Sequence, residues 1–205
     1  MFRKKAALVP VNAPCILYNG GACYDYRTDE LLFAFPLADD APQLLQALRD
    51  HCPNERTEVR SAEEFVTMTP VEEISTNEVQ TLDCHYAYGD DPRRDAALAA
   101  NGVPVQHEAA LPPKPWIKLA VYGTSKQVGY DDPANTPPEE IAYFDELQCY
   151  TAGLVGNRYA ITRALPRNME ISAGGCDKGT AARRLADTLG RSILVCVGDA
   201  PNDLA

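Results

Sequence analysis

The sequence predicts an α/β fold. Strand-like and helix-like segments alternate through the middle of the chain, from about Ala22 to Ser172. The closing stretch, Gly174 to Ala205 (GGCDKGTAARRLADTLGRSILVCVGDAPNDLA), sets an amphipathic segment before a short, wholly apolar run and then a polar loop. That order is the one expected of a helix followed by a parallel strand covered on both faces.

Cys15 to Tyr18 reads as a short strand and Asn19-Gly20-Gly21 as a turn. ACYDY, a polar turn at Arg27-Thr28-Asp29, and LLFAFPL read as a hairpin. A helix is expected from about Pro42 to His51, with Leu44, Leu45 and Leu48 inside, Asp39 or Asp40 as its cap and Pro53 as its stop. Arg56 to Arg60 reads as a strand. Ser61-Ala62-Glu63-Glu64 fits a capping box before a short helix, with extended structure over Phe65 to Met68 as the competitor. Val79 to Tyr88 has partial alternation and reads as a strand; its His85 reads as a packed or surface residue rather than a catalytic one. Asp90-Asp91-Pro92 is expected to start a helix running to about Ala100. The proline-rich 103–115 reads as loop or extended linker.

Trp116 to Tyr122 (WIKLAVY) is a predicted strand, on which Lys118 reads either as substrate-facing or, the expected case, as solvent-facing. Pro138-Glu139-Glu140 begins a helix carrying Ile141, Phe144 and Leu147. Tyr159 to Ala164 and Met169 to Ser172 are predicted strands, with Glu170 near a site entrance and no direct chemical role expected of it. Ala181, Ala182, Leu185 and Leu189 then recur at helical spacing, and Gly190 stands where a C′ glycine belongs. Ser192 to Val197 is the apolar strand, ended by Gly198.

Composition narrows the function. The 205 residues carry a formal net charge of −10, and the one basic run is Arg3-Lys4-Lys5. A nucleic-acid surface would need basic clustering, so nucleic acid is not an expected partner. No apolar run approaches ~18 residues, so no membrane span is expected. The seven cysteines are scattered without a CxxC and read as reduced thiols of a cytoplasmic protein rather than as a zinc site.

The chemistry concentrates near the end of the chain. Asp199, Asn202 and Asp203 follow directly on the carboxyl end of the apolar strand, where open α/β sheets bind ligands. Two carboxylates and an amide supply the hard oxygens that Mg²⁺ prefers, and Lys178 adds a compact positive charge suited to phosphate. A capped turn built from Asp, Pro and Asn is the plainer reading of the same loop. Asn19-Gly20 reads either as a hinge or substrate-facing loop or as an ordinary turn. Walker-type and GxGxxG phosphate motifs are absent.

KGTAARRLADTLGR followed by VGDAPND resembles motifs III and IV of the haloacid-dehalogenase (HAD) phosphatases, in the Cof-like branch, subfamily IIB, with a large α/β cap. CILYNGGACYD resembles the passage where that branch leaves its core for its cap. PWIKLAVYG resembles a cap strand, and NMEISAGGCDKG the strand that returns to the core. The resemblance implies a mixed α+β cap inserted into a truncated, Rossmann-like parallel-sheet core. Residues 1–21 would be a sliver of core, 22–172 the cap and 173–205 the C-terminal core.

It further implies a Mg²⁺-dependent phosphohydrolase of small phosphorylated metabolites, with Asp199 and Asp203 toward the metal and Lys178 as the catalytic lysine. Asn202, Asn19 and Gly20 would lie toward phosphate or substrate. The family's DxD nucleophile precedes the Asn-Gly passage, yet MFRKKAALVPVNAPCILY contains no Asp, Ser or Thr. The chain is therefore expected to be an incomplete, inactive piece, with 173–205 poorly ordered, or packed unnaturally or against another chain, and 22–172 folded. Two alternatives stand beside this: a non-catalytic, cap-like module binding a metabolite or partner, and an enzyme of another class using Asp199 and Asp203 as general acid and base.

Overall fold

The computed structural model describes residues 12–53, 55–61, 65–67, 85–88, 96, 99–100, 105–108, 115–123 and 134–192. The described strands form two sheets. β1 (Cys15–Leu17), β2 (Ala22–Asp25) and β3 (Glu30–Ala34) make a small antiparallel sheet in that order. The larger sheet has the order β7-β6-β5-β4-β8-β10-β9. Its strands are β4 (Arg56–Arg60), β5 (Phe65–Thr67), β6 (His85–Tyr88), β7 (Val105–Glu108), β8 (Lys118–Tyr122), β9 (Tyr159–Thr162) and β10 (Asn168–Ala173). β5, β6 and β7 run parallel to one another and the remaining pairs are antiparallel, so the sheet is mixed. The helices are α1 (Ala41–His51), α2 (Pro138–Val155) and α3 (Lys178–Thr188).

Alternation along β4, β8 and β10 gives the larger sheet two unlike faces. Val59, Leu119, Val121, Met169 and Ile171 share one face and are almost completely buried. They pack with Leu44, Leu45 and Leu48 of α1 and Phe144, Leu147 and Val155 of α2 in one core. Each such side chain stabilises the fold by about 1.5–3 kcal/mol through burial. α2 begins with Pro138 in its first turn and carries Glu139 and Glu140 there, which suits the positive end of its dipole. Inside it the Thr151 hydroxyl donates to the Leu147 carbonyl at 2.7 Å, so its burial leaves no unmet polar group.

The small sheet packs differently. Cys23 and Phe33 are buried with Ala181 of α3, and Ile16, Leu32, Phe35 and Leu185 close around them. The Arg184 guanidinium lies over both Phe33 and Phe35, 4.6 and 5.1 Å from the ring centres. So α3 has an ordinary apolar seat, contrary to the expectation of abnormal packing over its length. Gly190, at φ +62, follows its C-cap Leu189 as expected and donates to the Asp187 carbonyl.

Several expectations are corrected. The competition at 61–68 goes to the strand β5, because an extended Phe65–Thr67 can pair with both β4 and β6. Val105–Glu108, read as loop or linker, is the edge strand β7; its flanking prolines lie outside the paired residues, where an edge tolerates them. Asp40 precedes α1 but makes no side-chain cap. Its carboxylate instead accepts from the Tyr159 hydroxyl at 2.5 Å and pairs with Arg158 at 2.7 Å, tying the start of α1 to the start of β9. The strand expected at Ser192 to Val197, the helix expected up to Ala100 beyond its positions 96, 99 and 100, and the capping box at 61–64 beyond Ser61 lie outside the described residues. Among the described residues, no helix is long and apolar enough to cross a membrane.

The described cysteines are all free. Burial pushes the thiols of Cys23, Cys52 and Cys176 from 9.0 up to about 11. The folded chain thus holds these protons more tightly than the unfolded chain. Their stabilising contribution is complete below pH 9 and is lost as pH rises toward about 11. The urea midpoint should therefore fall across that interval, and Cys52→Ala should flatten the fall. A pH profile that Cys52→Ala leaves unchanged would refute the assignment.

Candidate active site

Three passages of chain meet where β1 ends. Tyr18–Gly20 forms a tight turn whose residues all have positive φ: +56 at Tyr18, +55 at Asn19 and +104 at Gly20. For Tyr18 and Asn19 this costs about 1–2 kcal/mol each, less for Asn, whose short polar side chain tolerates the left-handed region. The turn is closed by the Gly21 amide donating to the Tyr18 carbonyl at 3.1 Å. Gly20 is required there for a second reason. A Cβ at this position would sit 2.2 Å from the Asp177 carbonyl oxygen and 3.0 Å from the Lys178 nitrogen. The turn therefore rests directly on the first residues of α3.

That end of α3 is capped by Asp177, whose carboxylate accepts from the Thr180 amide at 2.6 Å and from the Thr180 hydroxyl at 3.0 Å. Lys178 is the first helical residue and half-buried. A lysine at a helix N-terminus beside a glycine turn is an arrangement suited to an anion.

The polar face of the larger sheet completes the surroundings. Lys118 and Tyr122 of β8 stand on the same face as Glu58 and Arg60 of β4 and Glu170 of β10. Lys118 and Glu170, only 3% and 7% exposed, pair at 2.5 Å. The Tyr122 hydroxyl donates to Glu170 Oε1 at 3.4 Å and accepts from Arg60 at 3.4 Å, and Arg60 pairs with Glu58 at 2.5 Å. Asn19 Nδ2 donates to the other Glu170 oxygen, Oε2. Burial pulls the Lys118 ammonium below its ordinary range, against the opposing charge of Glu170. Burial likewise raises the Tyr18 hydroxyl, with Arg60 opposing.

The structure thus brings together three of the residues singled out in the sequence: Asn19, Gly20 and Lys178. Asp199, Asn202 and Asp203 lie outside the described residues. Among the described residues, no group of three or more His, Cys, Asp or Glu side chains is gathered as a metal site. Lys118 is a correction, since it is buried and ion-paired rather than solvent-facing. Its burial, and the parts taken by Glu58, Arg60 and Tyr122, escaped sequence reasoning. The available signal was the alternation of polar with apolar residues in RTEVR, KLAVY and NMEISA, which marks a face but not what covers it.

Gly20→Ala should cost about 1–3 kcal/mol, because the new methyl meets rigid backbone while the φ stays unfavourable. Hydrogen exchange at the Ala181 amide, which bonds the Asp177 carbonyl at 3.1 Å, should accelerate. Unchanged exchange there would mean the turn and helix are not packed as described.

No protein-family model and no curated sequence matches the chain. Solved structures do. A haloacid dehalogenase-like hydrolase from Bacteroides thetaiotaomicron aligns with a TM-score of 0.57 at 16% identity, over 91% of this chain and 59% of that one. A haloacid dehalogenase-like hydrolase from B. subtilis gives 0.55 at 14% identity, over 91% and 62%. A HAD subclass IIB sugar phosphatase gives 0.53 at 13% identity, over 91% and 55%. The chain spans about three fifths of the length of the first of these structures. Over the part that it spans, the chain has the fold of the haloacid dehalogenase-like hydrolases.

Proposed function

We propose that these residues form the cap and an adjoining part of the core of a Mg²⁺-dependent phosphohydrolase acting on small phosphorylated metabolites. The observation that carries this reading is the position of Lys178, at the N-terminus of α3 and against the Asn19-Gly20 turn, in a chain with this fold. A lysine ammonium there offers a point charge to a phosphoryl oxygen, and phosphoryl transfer is catalysed mainly by placement and electrostatic stabilisation. The larger sheet, with its polar face toward the turn through Asn19 and Glu170, would act as the cap that excludes water and selects the substrate.

Asp199 and Asp203 would hold the cation, with Asn202 toward phosphate or bracing the loop; their oxygen donor set suits Mg²⁺. When bound, Mg²⁺ would offset charge on the phosphoryl oxygens. The carboxylate nucleophile of this reaction would come from outside residues 1–205. Seven scattered cysteines without a CxxC fit a reducing, cytoplasmic setting.

The test is phosphate release from a panel of phosphorylated metabolites by the whole protein that carries these residues, with and without Mg²⁺. Lys178→Met should lower kcat by about 10²–10³, the scale seen when one charge-stabilising donor is removed. Turnover indifferent to Lys178→Met, or absent for every phosphate ester while a metabolite still stabilises the protein, would favour a binding module instead.

A further inference from the structure

The Tyr18–Asn19–Gly20 turn holds an unfavourable backbone conformation with one short-range hydrogen bond of its own, Gly21 to Tyr18. Such a conformation persists only where its surroundings over-determine it. Among the described residues, two constraints act on the turn residues themselves, beside the Phe35 amide that donates to the Gly21 carbonyl at 2.8 Å. One is the packing of Gly20 on the Asp177 carbonyl. The other is the bond from the Asn19 side chain to Glu170, a residue 151 positions away on β10, which lies between β8 and β9 in the larger sheet.

Glu170 is itself fixed. Its neighbours on β10, Met169 and Ile171, are fully buried in the core on the opposite face. Its Oε1 is engaged by Lys118 and Tyr122 on β8, which leaves Oε2 for Asn19. A buried carboxylate with a cation on one oxygen and an amide on the other is a directional strut, since each partner would be left in an unmet environment if it swung away.

We propose that Glu170 is a positioning residue: anchored by Lys118, it holds the Asn19 side chain and so keeps the Tyr18–Gly20 turn seated on the N-terminus of α3. The carboxylate thereby adds a side-chain link between the larger sheet and that helix end, beside the short connection from Ala173 to Asp177.

The test is amide hydrogen exchange on the full 205-residue chain, followed by NMR, and involves no turnover. Its outcome is therefore separate from the phosphohydrolase reading. Glu170→Ala leaves the buried Lys118 unpaired and should lower protection throughout the sheet; exchange at Gly21 should rise by about tenfold or more beyond the loss at Leu119 and Ile171. Asn19→Gly is the partner variant, because glycine keeps the left-handed backbone accessible and removes the side-chain bond, adding some backbone freedom of its own. It should release Gly21 to the same degree, and the double variant should add nothing further. Glu170→Gln, which keeps an acceptor for Asn19, should restore part of the protection.

An unchanged Gly21 in Asn19→Gly would overturn the proposal, and so would additive effects in the double variant. Equal loss of protection at Gly21, Leu119 and Ile171 in Glu170→Ala would reduce Glu170 to a general stabiliser of the sheet and overturn it too. Should Glu170→Ala not fold, Asn19→Gly alone decides, since it leaves the Lys118–Glu170 pair intact.

Discussion

Lys118→Ala is expected to destabilise the protein by about 3–5 kcal/mol, the usual consequence of breaking a buried ion pair by removing one partner. The loss is not the value of the pair itself. Lys118 and Glu170 are both buried and 2.5 Å apart, so removing the ammonium leaves a carboxylate in a place from which water is largely excluded. Replacing both partners by apolar residues of similar volume should therefore recover most of the loss. Lys118→Met with Glu170→Met should unfold at a higher urea concentration than Lys118→Ala alone. Equilibrium denaturation of the three proteins checks this. A Lys118→Ala variant within about 0.5 kcal/mol of the parent would mean that the side chain sits at the surface after all, as the sequence suggested.

Phe144→Ala should cost a similar amount, about 3–5 kcal/mol, for a different reason. Phe144 is completely buried between α2 and the apolar face of the sheet, within the cluster that includes Leu48, Leu119, Met169 and Ile171. Its removal forfeits the transfer of an aromatic ring from water and leaves a cavity that well-packed neighbours fill only in part. Leu189 is the control. It is 45% exposed beyond the last turn of α3, and Leu189→Ala should fall within about 0.5 kcal/mol of the parent. Calorimetry on both variants separates the outcomes. A Phe144→Ala loss as small as that of Leu189→Ala would show that α2 does not cover the sheet.

The comparison of sequence with structure turns on the difference between local and paired information. Arg56 to Arg60, Lys118 to Tyr122 and the helix after Pro138 were legible because their signals are local: alternation, a proline at the first turn, acidic residues beside it. Of Asp39 and Asp40, the two expected caps, Asp40 takes the N-cap position without a side-chain cap bond, because a carboxylate at a helix start has other possible partners. Here Tyr159 and Arg158, brought in by β9, take it. β7 was hidden by flanking prolines, although the four residues between Pro104 and Ala109 are free to pair.

The site shows the same division. Lys178 and Asn19-Gly20 could be singled out from short motifs. The burial of Lys118 could not, since it depends on Glu170 arriving on the adjacent strand and on the turn that Asn19 brings over the same face. Nor does a motif disclose that Gly20 is indispensable because of a backbone carbonyl contributed by Asp177.

The central claim is that the N-terminus of α3, with Lys178 and the Asn19-Gly20 turn, receives a phosphoryl group. It is tested most directly by titrating inorganic phosphate together with Mg²⁺ into the ¹⁵N-labelled chain and following its amide resonances. Lys178, Gly179 and Thr180 should shift together with Asn19 and Gly20, and Lys178→Met should abolish the response. Shifts confined to other parts of the molecule, or a response that survives Lys178→Met unchanged, would contradict it.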